Sequence, residues 1–164
     1  MDASEVYLAK PPPDAIAEQL QRPINAVVGT LNPDGSIHLA FVIFLWHNDR
    51  FYFETASMTK KVRNIRNNPT ASFAIDPPGF MAMAEGTARI IEGEEAEKIN
   101  RMVREKNLTD EAVGTVGEAW GEFDDVAVEI TPHKWRSWSS AKLVEASKEA
   151  AGDLPPDQWF VPED

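Results

Sequence analysis

The chain has 164 residues, no cysteine and a net charge of −11, from 27 acidic and 16 basic residues. Lack of cysteine excludes disulfides, thiolate metal sites and a cysteine nucleophile, and so acidic a surface repels nucleic acid and anionic membranes. A hydrophobic fraction of 43% suits a single domain with a packed core. No apolar run approaches the roughly 20 residues needed to cross a bilayer. The first residues carry no basic-then-apolar leader pattern. The expectation is a cytoplasmic protein that engages neither membrane nor nucleic acid.

Lys10-Pro11-Pro12-Pro13 reads as a stiff extended segment, followed by a short helix over residues 15–21 capped by Asp14. Residues 24–31 are rich in β-branched side chains and read as a strand. Asn32-Pro33-Asp34-Gly35 is a turn signal, with glycine supplying positive φ. Residues 36–46 form the second expected strand, its Phe41-Val42-Ile43-Phe44-Leu45 run apolar enough for burial on both sides. After a turn at 47–50 comes a third strand over 51–55, giving an expected three-stranded meander. A helix from Thr59 to Asn67-Asn68-Pro69 follows. Strands are expected over 70–76, over 80–91 with a bulge at Gly86, and from 125 to about 138. A charged helix over 94–106 and a glycine-interrupted helix over 108–121 lie between the last two. The pattern means a mainly β, antiparallel barrel or sandwich with flanking helices. Three segments are expected: an N-terminal arm with a short helix (1–22), the barrel (23–143) and a polar tail (144–164).

One segment inverts the charge of the whole. Residues 59–68, Thr59-Lys60-Lys61-Val62-Arg63-Asn64-Ile65-Arg66-Asn67-Asn68, hold four cations and no acid. Lys60 and Lys61 fall in the first helical turn, where the macrodipole and unpaired N–H groups are already positive. Cations there cost a few tenths to about 1 kcal/mol, a sign that a bound anion reverses. Free N–H groups, the Thr59 hydroxyl and two ammonium groups together make a phosphate site. A solvated basic face is the plainer reading, and it suits Arg63 and Arg66 well.

Phe53-Glu54-Thr55, then Thr59-Lys60-Lys61, Asn64-Ile65-Arg66 and Asn68-Pro69, resemble the FMN-binding split barrel of the pyridoxamine 5′-phosphate oxidase family. Arg136, Ser137, Trp138, Lys142 and Leu143 resemble its branch that uses the deazaflavin coenzyme F-420. The resemblance spans roughly residues 24–143. It implies a six-stranded antiparallel split barrel, working as a homodimer with two cofactor sites at the subunit interface. Thr55, Thr59, Lys60 and Lys61 would bind the phosphate of FMN or F-420, and Asn64 would support the loop. Ala40, Phe41, Val42, Ile43 and Phe44 would run along the ring system. Trp135 and Trp138 would come from the second subunit or line the substrate side. The oxidase proper carries an arginine and a lysine on the second strand, whereas residues 39–44 here are wholly apolar. That departure argues against pyridoxamine phosphate oxidation and leaves FMN and F-420 both open.

No catalytic side chain stands out. His38, His47 and His133 are scattered, and no carboxylate–histidine spacing suits a metal. The absence fits an oxidoreductase whose cofactor carries the hydride or electron chemistry to a small organic substrate. Two rival readings remain: a non-catalytic flavin or haem carrier, and an interaction domain whose basic helix docks an acidic partner.

Overall fold

The computed structural model describes residues 3–7, 13–155, 158–159 and 161–162. Two short helices, α1 (Ala3–Tyr7) and α2 (Pro13–Leu20), precede the sheet. Of the stiff segment expected at Lys10 to Pro13, only Pro13 lies within the described residues, and it opens α2. The strands are β1 (Ala26–Leu31), β2 (Ile37–Val42), β3 (Leu45–His47), β4 (Arg50–Ala56), β5 (Thr70–Ile75), β6 (Phe80–Ile91) and β7 (Asp125–Ser139). Helix α3 (Lys60–Asn67) joins β4 to β5. Helices α4 (Gly93–Asn107) and α5 (Asp110–Trp120) join β6 to β7, and α6 (Ala141–Ala151) follows β7.

Among the described residues seven strands form one antiparallel sheet in the order β2-β1-β5-β6-β7-β4-β3. The mainly β class holds, with seven strands where six were expected. The second strand breaks at Ile43 and Phe44 into β2 and β3, which sit on opposite edges of the sheet. Only those two residues connect the two edges, so the sheet must curl until they nearly meet. The result is a curled half-barrel. The expected meander is corrected for the same reason: β2 pairs with β1 and β3 with β4, but β2 and β4 do not pair.

Local signals account for the turns. Gly35 has φ +83° and donates its N–H to the Asn32 carbonyl at 2.9 Å, closing the β1–β2 hairpin. Asn48 and Asp49 both take positive φ (49° and 56°), as a two-residue hairpin between right-twisted strands requires. At Gly86 the β6–β7 register shifts, and a Cβ there would stand 2.3 Å from the Thr131 carbonyl oxygen. Helix α5 runs unbroken through Gly114 and Gly117, begun by Thr109, whose hydroxyl accepts the Ala112 N–H at 3.3 Å.

The concave side holds the core. Phe44, Phe51 and Phe73 stack face to face at 4.8 and 4.1 Å, with Phe53 tilted beside Phe51. Ala82, Ala84, Gly86 and Ala88 alternate inward along β6, and their small size makes room for these rings. Leu20 of α2 packs into the same cluster. On the convex side α4 covers β4 and β7, burying Ala96 against Ile91 and Ala127. Among the described residues no helix is long and apolar enough to cross a membrane.

Candidate phosphate and ring site

Helix α3 begins where β4 ends, with Thr59 at its N-cap position. The Thr59 side chain makes no cap hydrogen bond. Its hydroxyl instead lies 3.3 Å from that of Thr55, the penultimate residue of β4. Two hydroxyls therefore stand at a helix N-terminus whose first amides have no intrahelical acceptor. Lys60 is exposed and Lys61 half-buried, and neither forms an ion pair among the described residues. Burial holds the Lys61 ammonium below the ordinary lysine range. A partly desolvated cation with no acid beside it is unfavourable until an anion arrives.

Asn64 fixes the position of this helix end. It is buried, and its Nδ2 donates to Thr30 Oγ1 at 3.1 Å and Asn32 Oδ1 at 3.0 Å. The bonds tie α3 to the end of β1 and the turn that leads into β2. Lys60 stands near enough to that turn to help lower the Asp34 carboxyl, after the larger effect of hydrogen bonds from Ser36. Arg63 and Arg66 point elsewhere. Arg63 donates to the Met58 carbonyl at 3.3 Å, and Arg66 pairs with Glu92 at 2.8 Å. Both follow the plain solvated-face reading, and so does the exposed Lys60; Lys61 alone of the four is half-buried with no side-chain partner among the described residues.

Strand β2 departs from the expectation of burial on both sides. Ile37, Leu39 and Phe41 are 69, 64 and 80% exposed. Their row continues through Val27 and Gly29 of β1 to Ala74 of β5 and Met83 of β6, forming a groove of about 270 Å³ on the convex face. Of the five residues expected along the ring, Phe41 faces outward and Ala40 and Ile43 are half-buried. Val42 and Phe44 belong to the core. The Phe44 carbonyl is occupied, accepting from Lys106 Nζ at 3.0 Å and Asn107 Nδ2 at 2.8 Å. As an edge strand bonded only to β1, β2 leaves backbone donors and acceptors on its free side.

The structure thus gathers Thr55, Thr59, Lys60, Lys61 and Asn64 at one junction. Trp138 lies elsewhere: it pairs with Met81 at the far end of β7 from Val126, the partner of Thr55. Its indole N–H donates to the Val6 carbonyl at 3.0 Å. Trp135 packs into the core of its own chain, edge-on to Trp46 at 5.7 Å and Phe73 at 5.5 Å. The sequence reading missed Thr30 and Asn32, which receive the Asn64 amide, and Ile37 and Leu39, which extend the Phe41 row. Among the described residues, His133 is the one histidine with a hydrogen-bonded side-chain partner, the Thr87 hydroxyl at 2.8 Å. Among the described residues no group of three or more His, Cys, Asp or Glu side chains could hold a metal ion.

One curled antiparallel sheet with helices packed on it defines the class as a split-barrel fold. The family profile described as pyridoxamine 5′-phosphate oxidase matches residues 12–139, and the chain belongs to that family. Among solved structures, a conserved hypothetical protein from Mycobacterium tuberculosis is 24% identical with a TM-score of 0.72, covering 95% of each chain. A structure described as an F420 reductase is 22% identical with a TM-score of 0.59, covering 73% of this chain and 94% of its own. A pyridoxamine 5′-phosphate oxidase-related, FMN-binding protein from Nostoc punctiforme is 13% identical with a TM-score of 0.56, covering 76% and 82%. At these identities the likeness is one of fold. No curated protein matches the chain.

Proposed function

We propose that this protein binds the phosphate of FMN or F-420 at the start of α3 and is an oxidoreductase acting on a small organic substrate. The observation that carries the reading is the pair Lys60 and Lys61, in no ion pair among the described residues, at a helix N-terminus with the Thr55 and Thr59 hydroxyls beside them. The known relatives include an F420 reductase and an FMN-binding protein, which favours this class of cofactor.

When bound, such a cofactor supplies hydride or electron transfer. The chain's own part is to hold and orient it. Lys60, Lys61 and the α3 amides neutralise the phosphate, and Thr55 and Thr59 donate to its oxygens. Asn64 keeps that anchor in register with β2. The apolar row of β2 excludes water beside the ring, and the free edge of β2 offers backbone groups to its polar rim. The exposed apolar sheet face supports a homodimer in which a second copy covers each site. Trp138 lies too far along β7 for the site of its own chain, so a role for it belongs at the second copy's site.

The test is titration of the purified protein with FMN and with F-420, followed by absorbance and fluorescence. Lys60→Ala with Lys61→Ala is expected to weaken binding by several kcal/mol, at about 1.5–3 kcal/mol per charge-assisted bond. Unchanged affinity refutes the anchor. Reoxidation of the reduced cofactor by added acceptors distinguishes an enzyme from a carrier.

A further inference from the structure

Strands β6 and β7 are antiparallel neighbours, and their ladder runs to Ile91 opposite Ala127. Such neighbours need only a short hairpin loop. Here α4 and α5 are inserted between them, and the insert returns to β7 through residues 121–124. It reaches the start of the phosphate anchor at two points, one on each side of Thr55. Ser57, Met58 and Thr59 belong neither to the β4 ladder nor to helix α3. Their position therefore depends on what else holds them.

The first tie is Arg104 of α4. Successive residues of a strand face opposite sides, so Thr55 shares the core side with Phe51 and Phe53 while Glu54 faces α4. Arg104 Nε donates to Glu54 Oε2 at 2.8 Å and a second nitrogen bonds Glu54 Oε1, a fork that fixes the orientation of both groups. The two side chains are only 13% and 8% exposed. Arg104 Nη1 also donates to the Gly117 carbonyl at 2.9 Å, which accepts the Gly121 N–H at 3.0 Å as well. The last turn of α5 has no basic residue of its own. Arg104 supplies the cation that this helix end favours and fixes where residues 121–124 leave it. The second tie is at that exit. Ser57 donates its N–H to the Asp124 carbonyl at 2.8 Å, and its hydroxyl bonds the Asp124 carboxylate. Next to it the Thr59 N–H donates to the Ala56 carbonyl at 3.1 Å, closing the turn that brings the Thr59 and Thr55 hydroxyls together.

We propose that Arg104 and Asp124 are positioning residues for the phosphate anchor: the α4–α5 insert holds the β4–α3 loop on both sides of Thr55, so that Thr55, Thr59 and the first amides of α3 converge on one anion. This rests on the flavin reading and adds to it how the anchor keeps its shape. Hydrogen bonds weaken steeply as distance and angle leave their narrow range, so a loop that drifts loses several bonds to the same phosphate at once. Asp124 is exposed and close in sequence contact to the anchor through Ser57. By its charge alone an acid there opposes a phosphate, whereas through Ser57 it favours one. The two effects have opposite signs, which makes positioning separable from charge.

Fluorescence titration of the full chain tests it, with FMN compared against riboflavin and F-420 against its phosphate-free riboside. Asp124→Ala and Ser57→Ala are each expected to weaken the phosphorylated cofactor about three- to tenfold and to leave the phosphate-free form unchanged. Asp124→Asn keeps an acceptor for the Ser57 hydroxyl without the charge, and is expected to bind as tightly as wild type or more so. The phosphorus NMR resonance of the bound cofactor is expected to move in Asp124→Ala and to return in Asp124→Asn. Removing Arg104 alone would strand the buried Glu54 carboxylate, so Arg104→Met is made together with Glu54→Leu. That pair is expected to show the same selective loss. Asp124 is exposed, so its variants decide the matter even where the paired variant does not fold. Affinity unmoved or raised by Asp124→Ala, an equal loss of the phosphate-free ligand, or a loss that Asp124→Asn does not restore overturns the proposal and leaves the cofactor reading intact. A wild-type chain that binds neither phosphorylated cofactor more tightly than its phosphate-free form overturns the anchor itself, and the positioning with it.

Discussion

At the scale of single residues, Lys106 shows how a charge can be held against its preference. Its ammonium sits 3.5 Å over the Phe44 ring and donates to the Phe44 carbonyl, with no ion pair among the described residues. Burial pushes its pKa down to about 8. The cation–π contact and the hydrogen bond recover only part of the lost hydration. The sign follows from proton linkage. Below pH 8 both folded and unfolded chains hold this proton, and the full cost of the buried charge is present. Between about 8 and the ordinary lysine value of 10.5 the unfolded chain binds more protons, so stability rises with pH. Urea unfolding is expected to show that rise between pH 8 and 10. Tyr52, which burial and its bond to Glu129 push to about 12, begins to act in the opposite sense only above its ordinary value of 10. In Lys106→Met the rise should shrink to the part that Lys61, also held below the ordinary lysine range, contributes, while the fold persists because Asn107 still donates to the Phe44 carbonyl. A wild-type profile flat across that range would show the ammonium to be fully solvated.

At the scale of elements, the bulge in β6 is the most demanding local feature. Gly86 lies buried against β7, and any side chain must displace the Thr131 carbonyl from a position 2.3 Å away. Backbone cannot yield as a flexible side chain can. Gly86→Ala is expected to cost about 3 kcal/mol, the upper end of overpacking penalties, read as a fall in the thermal midpoint. Gly29→Ala makes the contrast: its Cβ would meet Leu39 at an ordinary 3.5 Å and should change stability little. The Gly86 bulge was readable because a lone glycine in an alternating strand has few other causes. Helix α3 was readable too, since a proline stop, a threonine start and misplaced lysines all agree. The break between β2 and β3 was not. Residues 39–46 are apolar nearly throughout, and such a run does not say which side chains face outward or where the strand divides. The division comes from the curl of the whole sheet, which puts the two halves on opposite edges. The Asn64 bonds to Thr30 and Asn32 were hidden for a related reason: they cross more than thirty residues of sequence.

At the scale of the molecule, the convex face poses a problem that one copy does not solve. Ile37, Leu39 and Phe41 stand in a row on an edge strand, backed by Val27, Ala74 and Met83. Fully burying such a side chain is worth roughly 1.5–3 kcal/mol, and an exposed apolar edge invites pairing with whatever strand meets it. A closed two-fold dimer covers the row on both copies at once and limits assembly to two. Sedimentation velocity is therefore expected to find a dimer. Leu39→Glu with Phe41→Glu would set four carboxylates on a self-complementary interface, and the pair is expected to yield monomers. Because both side chains are exposed in the isolated chain, the thermal midpoint at equal monomer concentration should fall only by the contribution of association. Flavin or deazaflavin affinity should fall at least tenfold along with the dimer, since the ring would lose both the apolar row of its own chain and any wall supplied by the second copy. A wild-type monomer that binds either cofactor tightly would show that the apolar row serves the ring alone.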